Sequence, residues 1–120
     1  VVSTLDLFPT ICDATHTKYA NQFDGQSLTQ LFSNKPQSAD TRTLFWDSGH
    51  EQAVRSGNWK YHRITDTKDA ELEMVEIEKG EFLYNLKVDP GEKKNLAKEN
   101  PQKLAEMKRV YQEWQQAVKK

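Results

Sequence analysis

Three features of the sequence predict an α+β fold: a small antiparallel sheet of about four strands packed against a C-terminal helix, preceded by a short helical segment. First, between residues 42 and 86 apolar and aromatic residues alternate with polar ones, the period of half-buried strands. Second, Leu104, Met107, Tyr111, Trp114 and Val118 recur at spacings of three and four, which makes one apolar stripe on a helix. Third, "SNKPQSADT" at 33–41 is polar, carries Pro36 and fits neither period, so it reads as a linker.

Along the chain, "VVSTLDLFPTICDATH" comes first. Ser3 is a candidate helix cap, and Leu5, Phe8, Ile11 and Cys12 share one apolar face. Pro9 lies inside that pattern, so a kink or a helix start close to it is expected. "FDGQSLTQLF" reads as a turn at Asp24-Gly25 and a helical turn that groups Leu28, Leu31 and Phe32. Strands are expected over 42–47, 52–56 and 59–64, with Gly57 free to take positive φ in the turn between the last two. "AELEMVEIE" (70–78) alternates acidic and apolar residues as a strand with a solvated face, and "EFLYNL" (81–86) follows as another. Asp89-Pro90-Gly91 suits a tight turn in which the glycine tolerates the left-handed region. Asn100 is a good cap and Pro101 a good first residue for the last helix. A sheet with one wet face needs such a helix to cover the other.

Composition narrows the classes of function. Seventeen basic residues against eighteen acidic ones give a net charge of -1, which argues against a nucleic-acid partner or a membrane surface. No apolar run approaches the roughly 20 residues of a membrane span. The single cysteine, Cys12, excludes an internal disulfide. The chain begins at Val1 with neither an initiator Met nor a signal-peptide pattern and is expected to be a piece of a longer one.

Four stretches, taken in order, carry a resemblance: D-L-F-P-T at 6–10, D-G-x-S-L at 24–28, A-V-R-x-G-x-W-K at 53–60, and L-Y-x-L-x-x-D-P-x-E-x-x-N-L at 83–96. Together they resemble the C-terminal part of sulfatases of the arylsulfatase type. The resemblance implies a large α/β catalytic domain upstream, similar to alkaline phosphatases, and a small C-terminal subdomain with a four-stranded sheet and a terminal helix. On that basis 1–32 is expected to be a helical remnant of the catalytic domain, 33–41 a linker, and 42–120 the subdomain.

The family's nucleophile is a formylglycine made from the Cys or Ser of C-x-P-S-R, assisted by calcium and basic side chains. These groups lie upstream of D-L-F-P-T in the family, and Cys12 stands in C-D-A-T-H, which is a different context. The chain alone is therefore expected to hold no catalytic residue, no metal and no cofactor, and to be inactive. Formylglycine and calcium are expected in the full-length enzyme. The parent is expected to hydrolyse a carbohydrate or aryl sulfate, in a periplasmic, extracellular or lysosomal compartment. The alternatives are the tail of a phosphodiesterase or phosphonate hydrolase of the same superfamily, or a non-catalytic binding module.

Candidate contacts to substrate follow. His50 and Glu51 sit at a loop tip in "WDSGHEQAV", a turn that the resemblance brings near the active-site mouth. Arg55 belongs to the A-V-R-x-G-x-W-K pair, and a guanidinium suits sulfate as it suits phosphate; the plainer reading is one charged face of a ladder. Trp46 and Trp59 read as core or cross-strand partners, with a sugar platform at the sheet edge as the alternative. Asp89 and Glu92 are too few to hold calcium, and Asp6 is expected to cap or pair locally. The expected partners are the N-terminal catalytic domain and, for the full enzyme, a sulfated small molecule or glycan. Residues 1–32 are expected either to fold loosely or to bury themselves in a second copy of the chain.

Overall fold

The computed structural model describes residues 1–19, 23–32, 42–65 and 78–119. The chain forms two compact units, Val1–Asp40 and Thr41–Lys120. The linker expected at 33–41 and nearly all of the strand expected at 70–78 lie outside the described residues.

In the first unit a 3-10 turn, Thr4–Asp6, runs into helix α1, Leu7–Ala14. Ser3 closes a capping box: its hydroxyl accepts from the Leu5 amide, and the Asp6 carboxylate accepts from the Ser3 amide at 2.7 Å. Pro9 fits in the first turn of α1, where an N–H has no helical partner to lose. Asp6 does more than pair locally. It is fully buried, and its other oxygen accepts from the Gln26 amide at 2.9 Å. Thr10 accepts from the Leu28 amide at 2.9 Å, so 23–32 is stitched onto α1. Gly25 is required here: a Cβ would fall 1.9 Å from the Leu5 carbonyl oxygen.

The apolar face expected on α1 is not a buried one. Pro9 and Cys12 are buried, while Leu5, Leu7, Phe8 and Ile11 are each more than half exposed. Leu31 and Phe32, in a 3-10 turn at Thr29–Phe32, are exposed as well. Phe23 is the ring that meets Phe8, at 4.9 Å between centroids.

The second unit is an antiparallel sheet in the order β1-β2-β3-β4: Thr43–Asp47, Glu51–Ser56, Trp59–Ile64 and Gly80–Asn85. Branched and aromatic residues hold each strand, and two turns set the register. Gly57 takes φ 55° in the β2–β3 hairpin, so Ser56 faces Trp59 and Val54 faces Tyr61. Phe45, Val54, Tyr61 and Leu83 form one row across all four strands. Helix α2, Pro101–Val118, lies on that row through Leu104, Met107, Val110, Tyr111 and Trp114. Phe45 and Trp114 stack face to face at 4.8 Å. Val118, at the end of the stripe, is exposed.

The segment between β4 and α2 covers an open edge. Asn95 accepts from the Leu83 amide and donates to the Glu81 carbonyl, and Leu96 donates to the Leu83 carbonyl at 2.8 Å. A side-chain amide thus supplies both halves of what a further strand would give β4. The turn before it corrects one expectation. Glu92 donates its amide to the Asp89 carbonyl, and the left-handed residue is Glu92 (φ 55°), not Gly91. Its carboxylate is held at 2.7 Å by Lys60. Asn100 occupies the cap position of α2 but makes no side-chain cap bond; its backbone carbonyl accepts from Leu104.

Candidate functional site

The β1–β2 turn is pinned from both sides. Asp47 accepts from the Gly49 amide at 2.9 Å, and Gly49 takes φ 85°. Gln52 donates its side-chain amide to the Gly49 carbonyl at 2.7 Å. Thr65, at the end of β3, donates both its amide and its hydroxyl to the His50 carbonyl, each at 2.9 Å. His50 therefore rides on a fixed backbone at an exposed tip.

Pleating divides the neighbouring side chains between two faces. Trp46, Ala53, His62 and Phe82 form a row on the face away from α2. Trp46 is half exposed, and with Ser48, Glu51 and His62 it borders a cleft of about 220 Å³. Glu51 approaches His62 to 3.5 Å. Trp59 goes the other way: it packs against the core under the start of α2, with the Lys103 ammonium 5.9 Å above its ring.

Gln52 separates this cleft from a second cavity of about 320 Å³ beside α2, where Arg63 and Lys108 stand. Gln52 is buried, and its side-chain oxygen has no hydrogen-bond partner among the described residues. Glu81 accepts from Tyr61 at 2.9 Å and from Lys108 at 3.0 Å. Burial pushes the Glu81 carboxyl up, but the Lys108 and Tyr61 hydrogen bonds outweigh it and hold the group below its ordinary value. Burial, with the Glu81 contact behind it, pushes the Tyr61 hydroxyl well up.

Of the three residues read as substrate contacts, His50 and Glu51 share the turn. Arg55 lies four residues further along β2, about 13 Å away at strand rise, in a row with Leu44, Lys60 and Tyr84. Its Nε is buried without a hydrogen-bond partner among the described residues. His62 escaped the sequence reading. Counting outward from the two-residue turn at Gly57-Asn58 pairs Ala53 with His62 and would have placed it beside Glu51.

No group of three or more His, Cys, Asp or Glu able to hold a metal occurs among the described residues. Cys12 is buried in α1, Asp89 accepts from the Lys94 amide, and Glu92 is taken by Lys60.

Residues 38–120 match the family described as the C-terminal region of aryl-sulfatase. The chain belongs to the sulfatases. Among curated relatives, this sulfatase C-terminal region is 32% identical over 104 residues to a Delta 4,5-hexuronate-2-O-sulfatase of Bacteroides thetaiotaomicron. That alignment covers 80% of the chain and 19% of the relative. It is 29% identical over 107 residues to a sulfatase of Formosa agariphila, covering 83% of the chain and 19% of that protein. The sulfatase chain thus spans about a fifth of the length of these relatives. Its fold is shared with a solved structure bound to its substrate D-glucosamine-2-N,6-O-disulfate, at TM-score 0.63 and 20% identity, over 95% of this chain and 24% of that one. A structure from work on glycosaminoglycan metabolism by Bacteroides thetaiotaomicron gives the same score and identity over 90% of this chain and 24% of that one.

Proposed function

We propose that this C-terminal region serves an enzyme that hydrolyses sulfate esters of carbohydrates, and that its β1–β2 turn shapes the substrate pocket. The observation that carries this reading is the cleft beside the turn. A half-exposed Trp46 lies next to Glu51 and His62 on a backbone pinned by Asp47, Gln52 and Thr65. An aromatic face beside hydrogen-bonding groups suits a sugar ring, and a fixed backbone spares the ordering cost on binding. The named activities of the relatives support the same substrate class. In this reading the nucleophile and calcium come from residues outside this chain, and the 120 residues alone turn over no sulfate ester.

Kinetics on the full-length enzyme test the role of the turn. Replacing His50 and Glu51 together with Ala should lower kcat/KM for a sulfated oligosaccharide by about tenfold or more and leave a small aryl sulfate nearly unchanged. Contacts remote from the reacting bond matter only to substrates that reach them. Equal effects on both substrates, or none on either, would end the proposal. So would measurable aryl sulfate turnover by the purified 120-residue chain, for the part that concerns catalysis.

A further inference from the structure

We propose that the Trp46 cleft holds a sugar ring that carries no anionic group, so that the unsulfated part of the substrate faces this region. The inference rests on the reading that the parent enzyme acts on sulfated glycans.

Charge is the first argument. The carboxylate on the wall of the cleft is that of Glu51, and among the described residues neither Lys nor Arg lines it. Lys60, two residues from His62 on the same face, is committed to Glu92 at 2.7 Å. A sulfate or uronate placed here would meet the Glu51 carboxylate with no Lys or Arg among the described lining residues to offset it.

Hydrogen bonding is the second. The Glu51 oxygens, steadied by His62 at 3.5 Å, accept. A sugar hydroxyl supplies the donor that this carboxylate can accept. Ser48 adds a group that both donates and accepts. Shape is the third. Trp46 offers a half-exposed indole face on which the C–H side of a pyranose can lie. At about 220 Å³ the cleft is below the roughly 300–1,000 Å³ of sites that enclose drug-sized ligands, which limits it to one ring.

The test uses the 120-residue chain and the indole N–H signals of its three tryptophans. The probes are methyl glycosides of galactose and N-acetylglucosamine, each with and without a 6-O-sulfate. The unsulfated sugars should shift the Trp46 signal and leave Trp59 and Trp114 in place, and the sulfated forms should bind at least about tenfold more weakly. Glu51→Gln should shrink that gap, and Trp46→Ala should abolish binding while the other two indole signals stay dispersed. A silent Trp46, tighter binding of the sulfated forms, or a gap unchanged in Glu51→Gln would each overturn the inference. A parent enzyme that cleaves no sulfate ester while Trp46 still binds sugar would remove only the proposed function. A parent that desulfates glycans while Trp46 stays silent would remove only this inference.

Discussion

At the scale of single residues, the contact between Tyr111 and Asp47 ties α2 to the end of β1. The Tyr111 hydrogen bond, followed by that from Gly49, holds the Asp47 carboxyl below its ordinary value of 3.8. A depressed carboxyl stabilises the fold above its unfolded value, and that contribution fades as pH falls through the lower folded value. Burial, with Asp47 behind it, pushes the Tyr111 phenol up to about 12, so its share is complete below 10.0 and fades as pH rises toward 12. Tyr111→Phe should therefore cost about 1 kcal/mol at neutral pH, a modest figure because Asp47 is exposed and screened. Urea unfolding at descending pH should show the deficit shrinking once Asp47 is protonated. A deficit that stays constant from neutral pH to below the Asp47 titration would show that the hydroxyl contributes only by packing.

Helix α2 decides the stability of the second unit. Met107 is 1% exposed, whereas Trp114 is only partly buried against Phe45. A fully buried Trp would lose about 3–5 kcal/mol on truncation to Ala. Half-burial should reduce this to about 2–3 kcal/mol, below or near the cost of Met107→Ala, while Val118→Ala should stay within about 0.5 kcal/mol. Thermal melts of the three variants check the order. If Val118→Ala matched Met107→Ala, or if the midpoints depended strongly on protein concentration, α2 would be packing against another chain. The strands and this helix were legible because their periods differ, and because Gly57 fixes one hairpin. What escaped needs three dimensions. Trp46 and Trp59 look alike in sequence, yet pleating and register send one to the open face and the other under α2. Glu92 rather than Gly91 takes the left-handed conformation, and its carboxylate meets Lys60, a partner far away in the chain. His50 and Glu51 were found as a loop tip, and His62 was missed because only strand pairing brings it to them.

For the molecule as a whole, the two units differ in how well they cover their own apolar surface. The second closes Val54, Tyr61, Leu83 and Met107 almost completely. The first leaves Leu5, Leu7, Phe8, Ile11 and Phe32 more than half exposed. Few buried contacts mean low local stability. Amides in 5–12 and 28–32 should exchange well before those in 52–64 in a dilute, monomeric sample. Raising the concentration should slow only the first set, if a second copy covers the apolar face. Equal protection of both sets in a monomer would show that the first unit is as stable as the second.

The Asp6 carboxylate and the missing side chain of Gly25 give the first unit a different kind of significance. One accepts the amide that follows the other, and the glycine leaves room for the Leu5 carbonyl. The two short signatures, D-L-F-P-T and D-G-x-S-L, are thus halves of a single interlocked joint rather than separate words. Each half depends on the other: without Asp6 the Gln26 amide loses its acceptor, and a side chain at 25 would collide with the Leu5 carbonyl. A transplant into a foreign scaffold would have to carry both halves together, at the same separation in space but with any length of chain between them.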